Sequence, residues 1–122
     1  MRYARRDRVD DPIRKRLGET VYELVGARPQ LGSTMHHSLA EIVIPPGGRS
    51  QAHTHRQSEE TYYILSGAGT LRIDNTPYAA AAGDAFLIEP GEKHEIVNEQ
   101  DKDLVFLAVS APAWDPADSM FA

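Results

Sequence analysis

The stretch GGRSQAHTHRQSEETYYILSG, residues 47–67, decides how this chain is interpreted. It holds His53 and His55 two residues apart, with Glu60 five residues further on. Because alternate residues of a β-strand project from the same face, the two imidazoles are expected side by side. The carboxylate would then arrive from the following strand or turn. This spacing predicts a cluster of nitrogen and oxygen ligands built on a strand.

A second stretch, GDAFLIEPGEKHEIVN at residues 83–98, adds His94 after a turn that contains glycine and proline. Three imidazoles and one carboxylate form a ligand set suited to a borderline divalent transition metal. The sequence therefore predicts one metal site, formed by His53, His55, Glu60 and His94. Because imidazole binds a metal in its neutral form, metal occupancy is expected to fall as the pH drops through the histidine range.

The two stretches also resemble the two motifs of the cupin superfamily. The first follows G-x5-H-x-H-x4-E-x6-G at Gly47, His53, His55, Glu60 and Gly67. The second resembles G-x5-P-x-G-x2-H-x3-N at Gly83, Gly91, His94 and Asn98. It departs from the motif at Glu89, where a proline is expected and where this chain has Pro90 next in sequence. That proline shapes a turn and binds no metal, so the departure concerns the loop and leaves the ligand set intact.

The resemblance implies a small single-domain cupin, an all-β chain folded as a small β-barrel or double-stranded β-helix of the jelly-roll type. The sequence agrees, because short apolar runs alternate with turn residues over 122 residues, enough for one core. We expect an N-terminal arm at 1–18, a barrel at 19–110 and a C-terminal tail at 111–122, packed on the barrel or on a partner. The expected strands are residues 20–25, 37–44, 50–55, 60–66, 69–73, 85–89, 94–98 and 104–110.

Three local features are predicted outside the ligand set. Residues 11–17 could form one turn of helix, with Asp10 or Asp11 as its cap and Pro12 at its first position. Residues 74–77 are expected to form a hairpin-type turn in which Asn75 is the residue best suited to a positive φ. Four further apolar side chains are assigned to the core: Phe86, Ile88, Ile96 and Phe106.

Two neighbouring glutamates compete for the carboxylate position. Counting back from Gly67 selects Glu60. Strand alternation then puts Tyr62 and Ile64 on the same lumen face and leaves Glu59 outside. Whether Glu60 binds the metal directly or acts as a base stays open, since some cupins use histidines alone. We predict catalytic roles for Glu60 and for Tyr62, whose phenol can donate a hydrogen bond to a bound ligand.

Other polar residues are candidates for the pocket. His36 and His37 are adjacent, so a strand would point at most one of them inward; both could equally be ordinary polar residues at a strand start. Arg72 is a further candidate, and a lumen arginine would imply a carboxylate or phosphate on the ligand. Its register is left open. Asn98 is expected to satisfy backbone groups.

Composition and charge narrow the class of protein. The chain has no cysteine, and its N-terminal residues lack the apolar segment of a signal peptide. We therefore expect a cytoplasmic protein without membrane association. Residues 1–16 hold seven basic and three acidic side chains, whereas the whole chain has a net charge of −5. Because acids interrupt the basic run and the acidic remainder would repel phosphate, no nucleic-acid partner is expected. The long arm and the apolar tail favour a homodimer.

The implied function is a small metalloprotein with one divalent ion, Fe, Mn, Ni or Zn, bound by the four ligands. It would act on a small oxygenated metabolite as a dioxygenase, isomerase or cyclase. One alternative is a non-catalytic cupin module that binds a sugar or small metabolite. Another is an interaction subunit with an empty pocket. Two or more ionisable lumen groups beyond the ligands would favour an enzyme over a binding module.

Overall fold

The computed structural model describes residues 1–28 and 34–121, which fold into an almost entirely β structure. Two 3₁₀ turns, at Arg6–Arg8 and Pro116–Asp118, are the helical elements of these residues. The strands are β1 Ile13–Arg14, β2 Thr20–Val25, β3 Ser38–Ile44, β4 His53–His55, β5 Glu59–Ser66, β6 Ala68–Ile73, β7 Thr76–Ala81, β8 Ala85–Ile88, β9 His94–Val97, β10 Leu104–Ala111 and β11 Ser119–Phe121. The all-β prediction is confirmed.

The strands form two antiparallel sheets that face each other. The six-stranded sheet has the order β1-β2-β3-β10-β5-β8, and the five-stranded sheet has the order β11-β4-β9-β6-β7. Apart from β1-β2-β3 and the β6-β7 hairpin, neighbouring strands come from distant parts of the chain, as in a jelly roll. No helix among the described residues is long and apolar enough to cross a membrane.

The core lies between the inward faces of the two sheets. Strands β5 and β10 alternate buried and less buried residues, as expected when one face packs inward. Of the predicted core residues, Ile88, Ile96 and Phe106 are buried, and Phe86 packs against them while partly exposed. Burying a side chain of this size contributes about 1.5–3 kcal/mol. Hydrophobic packing of these side chains therefore helps hold the two sheets together.

Three strands were not predicted. The proposed helical turn at residues 11–17 is wrong: Ile13 pairs with Val21 in a short strand instead. Strand β7 escapes a pattern search because its sequence, TPYAAA, has little alternation and contains Pro77. Pro77 is tolerated because β7 is an edge strand, where a missing N–H breaks no ladder bond on the open side. Strand β11 follows a proline-rich segment that suggests irregular structure.

The turn between β6 and β7 follows the prediction. Asn75 has a φ of 73° and Asp74 a φ of 48°. Positive φ at both central residues is the requirement of a type I′ hairpin turn, and Asp and Asn tolerate it better than most side chains.

Candidate metal centre

The two sheets bring the four predicted ligands together at one end of the lumen. His53 and His55 lie on β4, and His94 begins β9 as the direct pairing partner of His53. Glu60 reaches the cluster from β5 in the opposite sheet. One ligand atom from each residue lies within 4.8 Å of all the others. His55, Glu60 and His94 are buried and His53 is half-buried, so the cluster is largely shielded from water.

The histidine rings are held from behind through their Nδ1 atoms. His53 Nδ1 lies 2.7 Å from the carbonyl oxygen of Gln51, and His94 Nδ1 lies 3.0 Å from that of Glu92. His55 Nδ1 lies 3.3 Å from Ser119 Oγ. A carbonyl can only accept a hydrogen bond, so Nδ1 of His53 and of His94 carries the proton. In a neutral ring this leaves Nε2 as a free lone pair, which is how metal-binding histidines are commonly oriented.

The Nε2 atoms of His55 and His94 lie so close to the Glu60 carboxylate that a positive charge is needed between them. Glu60 Oε1 lies 3.2 Å from His94 Nε2 and 3.5 Å from His55 Nε2. A neutral His94 with its proton on Nδ1 would place a lone pair against a carboxylate oxygen, which is repulsive. His55 Nε2 is a buried atom with no hydrogen-bond partner in the described part of the chain. A proton or a metal ion between these atoms would relieve both problems, and three imidazoles with one carboxylate are a suitable donor set for Zn, Fe, Mn or Ni.

Glu60 is fixed as an anion on the side away from the histidines as well. Its Oε2 accepts a hydrogen bond of 3.0 Å from Ser110 Oγ. Burial acts to raise the pKa of Glu60, but its interactions with His55 and His94 outweigh burial and hold the pKa well below its usual value. Glu59, the competing carboxylate, is exposed on the outer face.

His53 has a different electrostatic environment. Its pKa is lowered to about 4, mainly because burial disfavours the charged ring and also because His94 is nearby. His53 is therefore neutral at pH 7 and able to offer its Nε2 lone pair.

The loop that carries His94 is tied to β4 through its backbone. Gly91 adopts a φ of 86°, and its N–H donates a 2.8 Å hydrogen bond to the carbonyl of His55. Glycine reaches this conformation without strain. Asn98, four residues after His94, is fully buried. Its side-chain amide donates hydrogen bonds to the carbonyls of Ile44 and Lys102 at 2.9 and 2.8 Å, which is the structural role expected of it.

The C-terminal segment also contributes to the centre. Strand β11 pairs with β4 along its whole length, with Ser119 opposite His55 and Phe121 opposite His53. Asp118 accepts hydrogen bonds from the backbone N–H groups of Gln57 and Ser58, at 2.9 and 3.1 Å. The short strand that carries two candidate ligands therefore rests on a segment about 60 residues later in sequence.

A cavity of about 60 Å³ extends from the histidine cluster toward β2. Tyr62 lines it and is 2% exposed, as the alternation from Glu60 predicts. Burial raises the pKa of Tyr62 well above its usual value, and the charges of Glu60 and Glu19 act in the same direction. The phenol is therefore a hydrogen-bond donor throughout the physiological pH range.

Sequence reasoning missed three ionisable residues of the cavity. Lys15, Glu19 and Glu23 line it together with Tyr62. Lys15 Nζ lies 3.6 Å from Glu19 Oε1. Burial raises the pKa of Glu19, and Lys15 opposes that shift. The alternation Glu19-Val21-Glu23 is the signal that could have suggested a polar inward face.

Three other pocket candidates lie elsewhere. His36 and His37 precede β3 and are both exposed, so the alternative in which one faces the lumen is wrong. Arg72 is exposed on the outer face of β6, 3.4 Å from Glu95 Oε1. The inward residue of that strand is its neighbour Leu71, which is fully buried.

Comparison with known proteins places this arrangement in a family. The sequence pattern of the cupin domain matches residues 40–110. An uncharacterized protein of Methanocaldococcus jannaschii is 34% identical over 102 residues, which cover 84% of this chain and 80% of that protein. An oxalate-binding protein of Thermotoga maritima is 39% identical over 71 residues, 58% of this chain and 59% of that protein.

A solved structure adds a likeness in fold. A Thermotoga maritima protein described as a predicted oxalate decarboxylase superposes with a TM-score of 0.74 and 27% identity. The match covers 89% of this chain and 97% of the other. The matching domain pattern spans more than half of the chain and includes all four clustered side chains. The chain belongs to the cupin family.

Proposed function

We propose that this cupin is a metal-dependent enzyme that acts on a small oxygenated metabolite. His53, His55, Glu60 and His94 would hold one divalent transition metal, and the lumen would hold the substrate. When bound, such an ion supplies Lewis acidity and a template for the oxygen atoms of a ligand. Dioxygenase, isomerase and cyclase chemistry are all compatible with this ligand set.

One observation carries the proposal: the facing lone pairs of Glu60 Oε1 and His94 Nε2, 3.2 Å apart. The partner of His94 Nδ1 is a carbonyl, so the ring cannot avoid the conflict by moving its single proton without losing that hydrogen bond. The neighbouring His55 Nε2 has no hydrogen-bond partner in the described chain. A cation that satisfies three such atoms at once is the simplest account of a buried cluster arranged in this way.

The remaining lumen residues would act directly on the ligand. Tyr62 keeps its proton, so its phenol can donate a hydrogen bond to a ligand oxygen. Glu19 is 5% exposed, and its raised pKa favours a carboxylic acid that can give up or take a proton. The side chain of Tyr62 also packs against Phe106, with ring centroids 4.7 Å apart, which fixes the orientation of the phenol.

The content of the lumen favours an enzyme over a passive binding module. Lys15, Glu19, Glu23 and Tyr62 provide more than two ionisable groups beyond the proposed ligands. Perturbed ionisable residues that converge in a cavity are typical of catalytic sites. The non-catalytic alternative keeps some support, because one relative is named as an oxalate-binding protein.

Metal analysis of site variants tests the proposal. Protein purified free of metal would be titrated separately with Mn²⁺, Fe²⁺, Ni²⁺ and Zn²⁺, and the affinity measured by calorimetry. His53→Ala, His55→Ala and His94→Ala should each sharply lower the affinity. Glu59→Gln is the matched control, because Glu59 is adjacent to Glu60 but exposed on the outer face. If His94→Ala binds metal as tightly as the wild type, the assignment is wrong.

Substrate screening would follow with the metal that binds in a one-to-one ratio. Turnover of a small oxygenated acid that depends on this metal would support the enzyme. Saturable binding of the same compounds without turnover, under aerobic and anaerobic conditions, would favour the binding module instead.

A further inference from the structure

Glu23 is a buried carboxylate at the end of the cavity away from the histidine cluster. It is 3% exposed, and neither Oε1 nor Oε2 has a hydrogen-bond partner within the described residues. Arg28 forms an ion pair with it at 3.7 Å, which is too long for a hydrogen bond. A carboxylate removed from water without hydrogen bonds is strongly disfavoured. The Arg28 ion pair therefore leaves the hydrogen-bonding capacity of both carboxylate oxygens unused.

The backbone around Glu23 leaves room for this carboxylate. Gly26 lies beside Glu23 Oε1, and a Cβ at position 26 would collide with that oxygen. The same Cβ would also be 3.2 Å from Ser38 Cβ. Only glycine fits at position 26 while the carboxylate keeps its place on the cavity wall.

A floor of small side chains connects Glu23 to Tyr62. Across the six-stranded sheet, Glu23 pairs with Ala40, Ala40 with Ala108, and Ala108 with Tyr62. All four line the cavity. Three strand spacings, roughly 14 Å between backbones, separate Glu23 from Tyr62, and both side chains extend into the cavity between them. Because the two middle residues are alanines, the space above them is open between the two polar ends.

We propose that Glu23 recognises the hydrogen-bond-donor end, hydroxyl or ammonium, of a small ligand whose other end lies at the histidine cluster. This inference rests on the proposed function for the position of that other end. The cavity of 60 Å³ has room for about four to six water-sized groups at ~10–15 Å³ each. A ligand with carboxylates at both ends is disfavoured, because the second carboxylate would meet Glu23 and Glu19. The donor end satisfies Glu23, and the specificity of the site follows from that contact.

A stability measurement tests Glu23 without metal or ligand. Thermal unfolding of metal-free protein at pH 8 would compare the wild type with Glu23→Gln and Glu23→Met. Both variants should unfold at a temperature equal to or a few degrees above the wild type, since each removes a buried charge without hydrogen bonds. Glu41→Gln is the control: Glu41 lies on β3 and pairs with Arg6 outside the lumen. A clear decrease in unfolding temperature for Glu23→Gln alone would show a structural carboxylate and overturn the proposal.

A binding measurement tests the chemistry of the ligand. Manganese-loaded protein would be titrated with four three- or four-carbon probes: 3-hydroxypropanoate, 3-aminopropanoate, malonate and butanoate. The wild type should bind one of the two donor probes at least about tenfold more tightly than butanoate or malonate, the effect of a hydrogen bond to a charged group. Which donor probe is preferred distinguishes hydroxyl from ammonium. Glu23→Met, which has no oxygen to accept a hydrogen bond from the probe, should lose this preference and bind butanoate unchanged.

The two proposals fail in different ways. If the wild type binds no metal, the proposed function is wrong. The unfolding temperatures of the Glu23 variants are measured on metal-free protein and still test the role of Glu23. Normal metal content with equal affinity for all four probes, or with no affinity for any, overturns the role of Glu23. Tighter binding of malonate than of both donor probes would overturn it as well.

Discussion

Glu60 and Glu23 are both buried in the same cavity, yet their carboxylates have opposite surroundings. Glu60 contacts two imidazoles through one oxygen and a serine hydroxyl through the other. Glu23 has an ion pair with Arg28 at 3.7 Å and no hydrogen bond among the described residues. The pKa values follow. Interactions with histidines overcome burial and lower the pKa of Glu60, whereas burial dominates and raises that of Glu23.

The comparison shows how one cavity can separate binding strength from selectivity. At the Glu60 end, the carboxylate already contacts two imidazoles and a serine hydroxyl, and the cluster is suited to hold a cation. At the Glu23 end the carboxylate has an ion pair with Arg28 but accepts no hydrogen bond from the described residues, and the cavity continues beside it. A ligand that lies between them would be held by the first end and selected by the second. The two glutamates should therefore respond differently to the same substitution.

The largest difference is expected in metal affinity. Glu60→Gln should weaken metal binding by about a hundredfold or more, since even residues behind metal ligands typically contribute 10–100-fold. Glu23→Gln should leave it unchanged. The metal-free Glu60 variant should remain folded, because the new amide can donate to His94 Nε2 in place of the repulsive contact. Calorimetric titration and unfolding curves measure both effects, and equal metal affinity in the two variants would remove the distinction between the glutamates.

Tyr62, which lines the cavity two residues along β5 from Glu60, should affect the ligand and not the metal. Tyr62→Phe removes one buried hydrogen-bond donor, which costs about 1–3 kcal/mol, or roughly a five- to hundredfold loss of probe affinity or turnover. The metal content should stay at the wild-type level. An unchanged affinity for every probe would show that the phenol has no role in binding.

The pH dependence of stability should distinguish Glu23 from its amide. The folded-state pKa of Glu23 is raised, so the native state binds more protons than the unfolded state above the unfolded pKa. Wild-type stability is therefore lost, relative to Glu23→Gln, as the pH rises through the folded pKa. The difference should be smallest around pH 4 and grow in favour of Glu23→Gln as the solution becomes alkaline. Denaturant unfolding of metal-free protein from pH 4 to 9 measures it, and a constant difference would mean that Glu23 does not titrate in this way.

The smallest effect on metal affinity is expected from Ser110, whose hydroxyl supports the Glu60 carboxylate. Ser110→Ala removes the hydrogen bond to Oε2 and should weaken metal binding by ~0.5–1.5 kcal/mol, roughly two- to tenfold. Ser66→Ala, at an exposed position on β5, is the control. If Ser110→Ala were as damaging as Glu60→Gln, the serine would be more than a support for the carboxylate.

The histidine cluster could be predicted because its information is local. His53 and His55 need only the two-residue period of a strand, and the position of Glu60 follows from Gly67. The direct pairing of His53 with His94 could not be read from spacing, yet the family resemblance implied that the two stretches meet. Tyr62 followed from Glu60 by the same alternation.

Glu23 could not be assigned because its strand has apolar side chains on both faces. Val21 lines the cavity. Tyr22 lies on the other face, where Arg6 Cζ is 4.7 Å from the centroid of its ring. Alternation alone cannot say which face is inward. The pairing of Glu23 with Ala40 decides it, and this long-range register is not visible in the sequence of β2. The expected homodimer stays a prediction for light scattering to test.

Strand β11 gives the centre a dependence on a remote part of the chain. Because β11 pairs along β4 and Ser119 contacts His55, docking of this segment and occupancy of the centre are thermodynamically linked. If docking of β11 raises the affinity for an ion by some factor, ion binding raises the equilibrium constant for docking by the same factor. A loaded protein should thus resist carboxypeptidase digestion of residues 119–121 longer than an unloaded one. The digestion rate would report occupancy without any knowledge of the substrate.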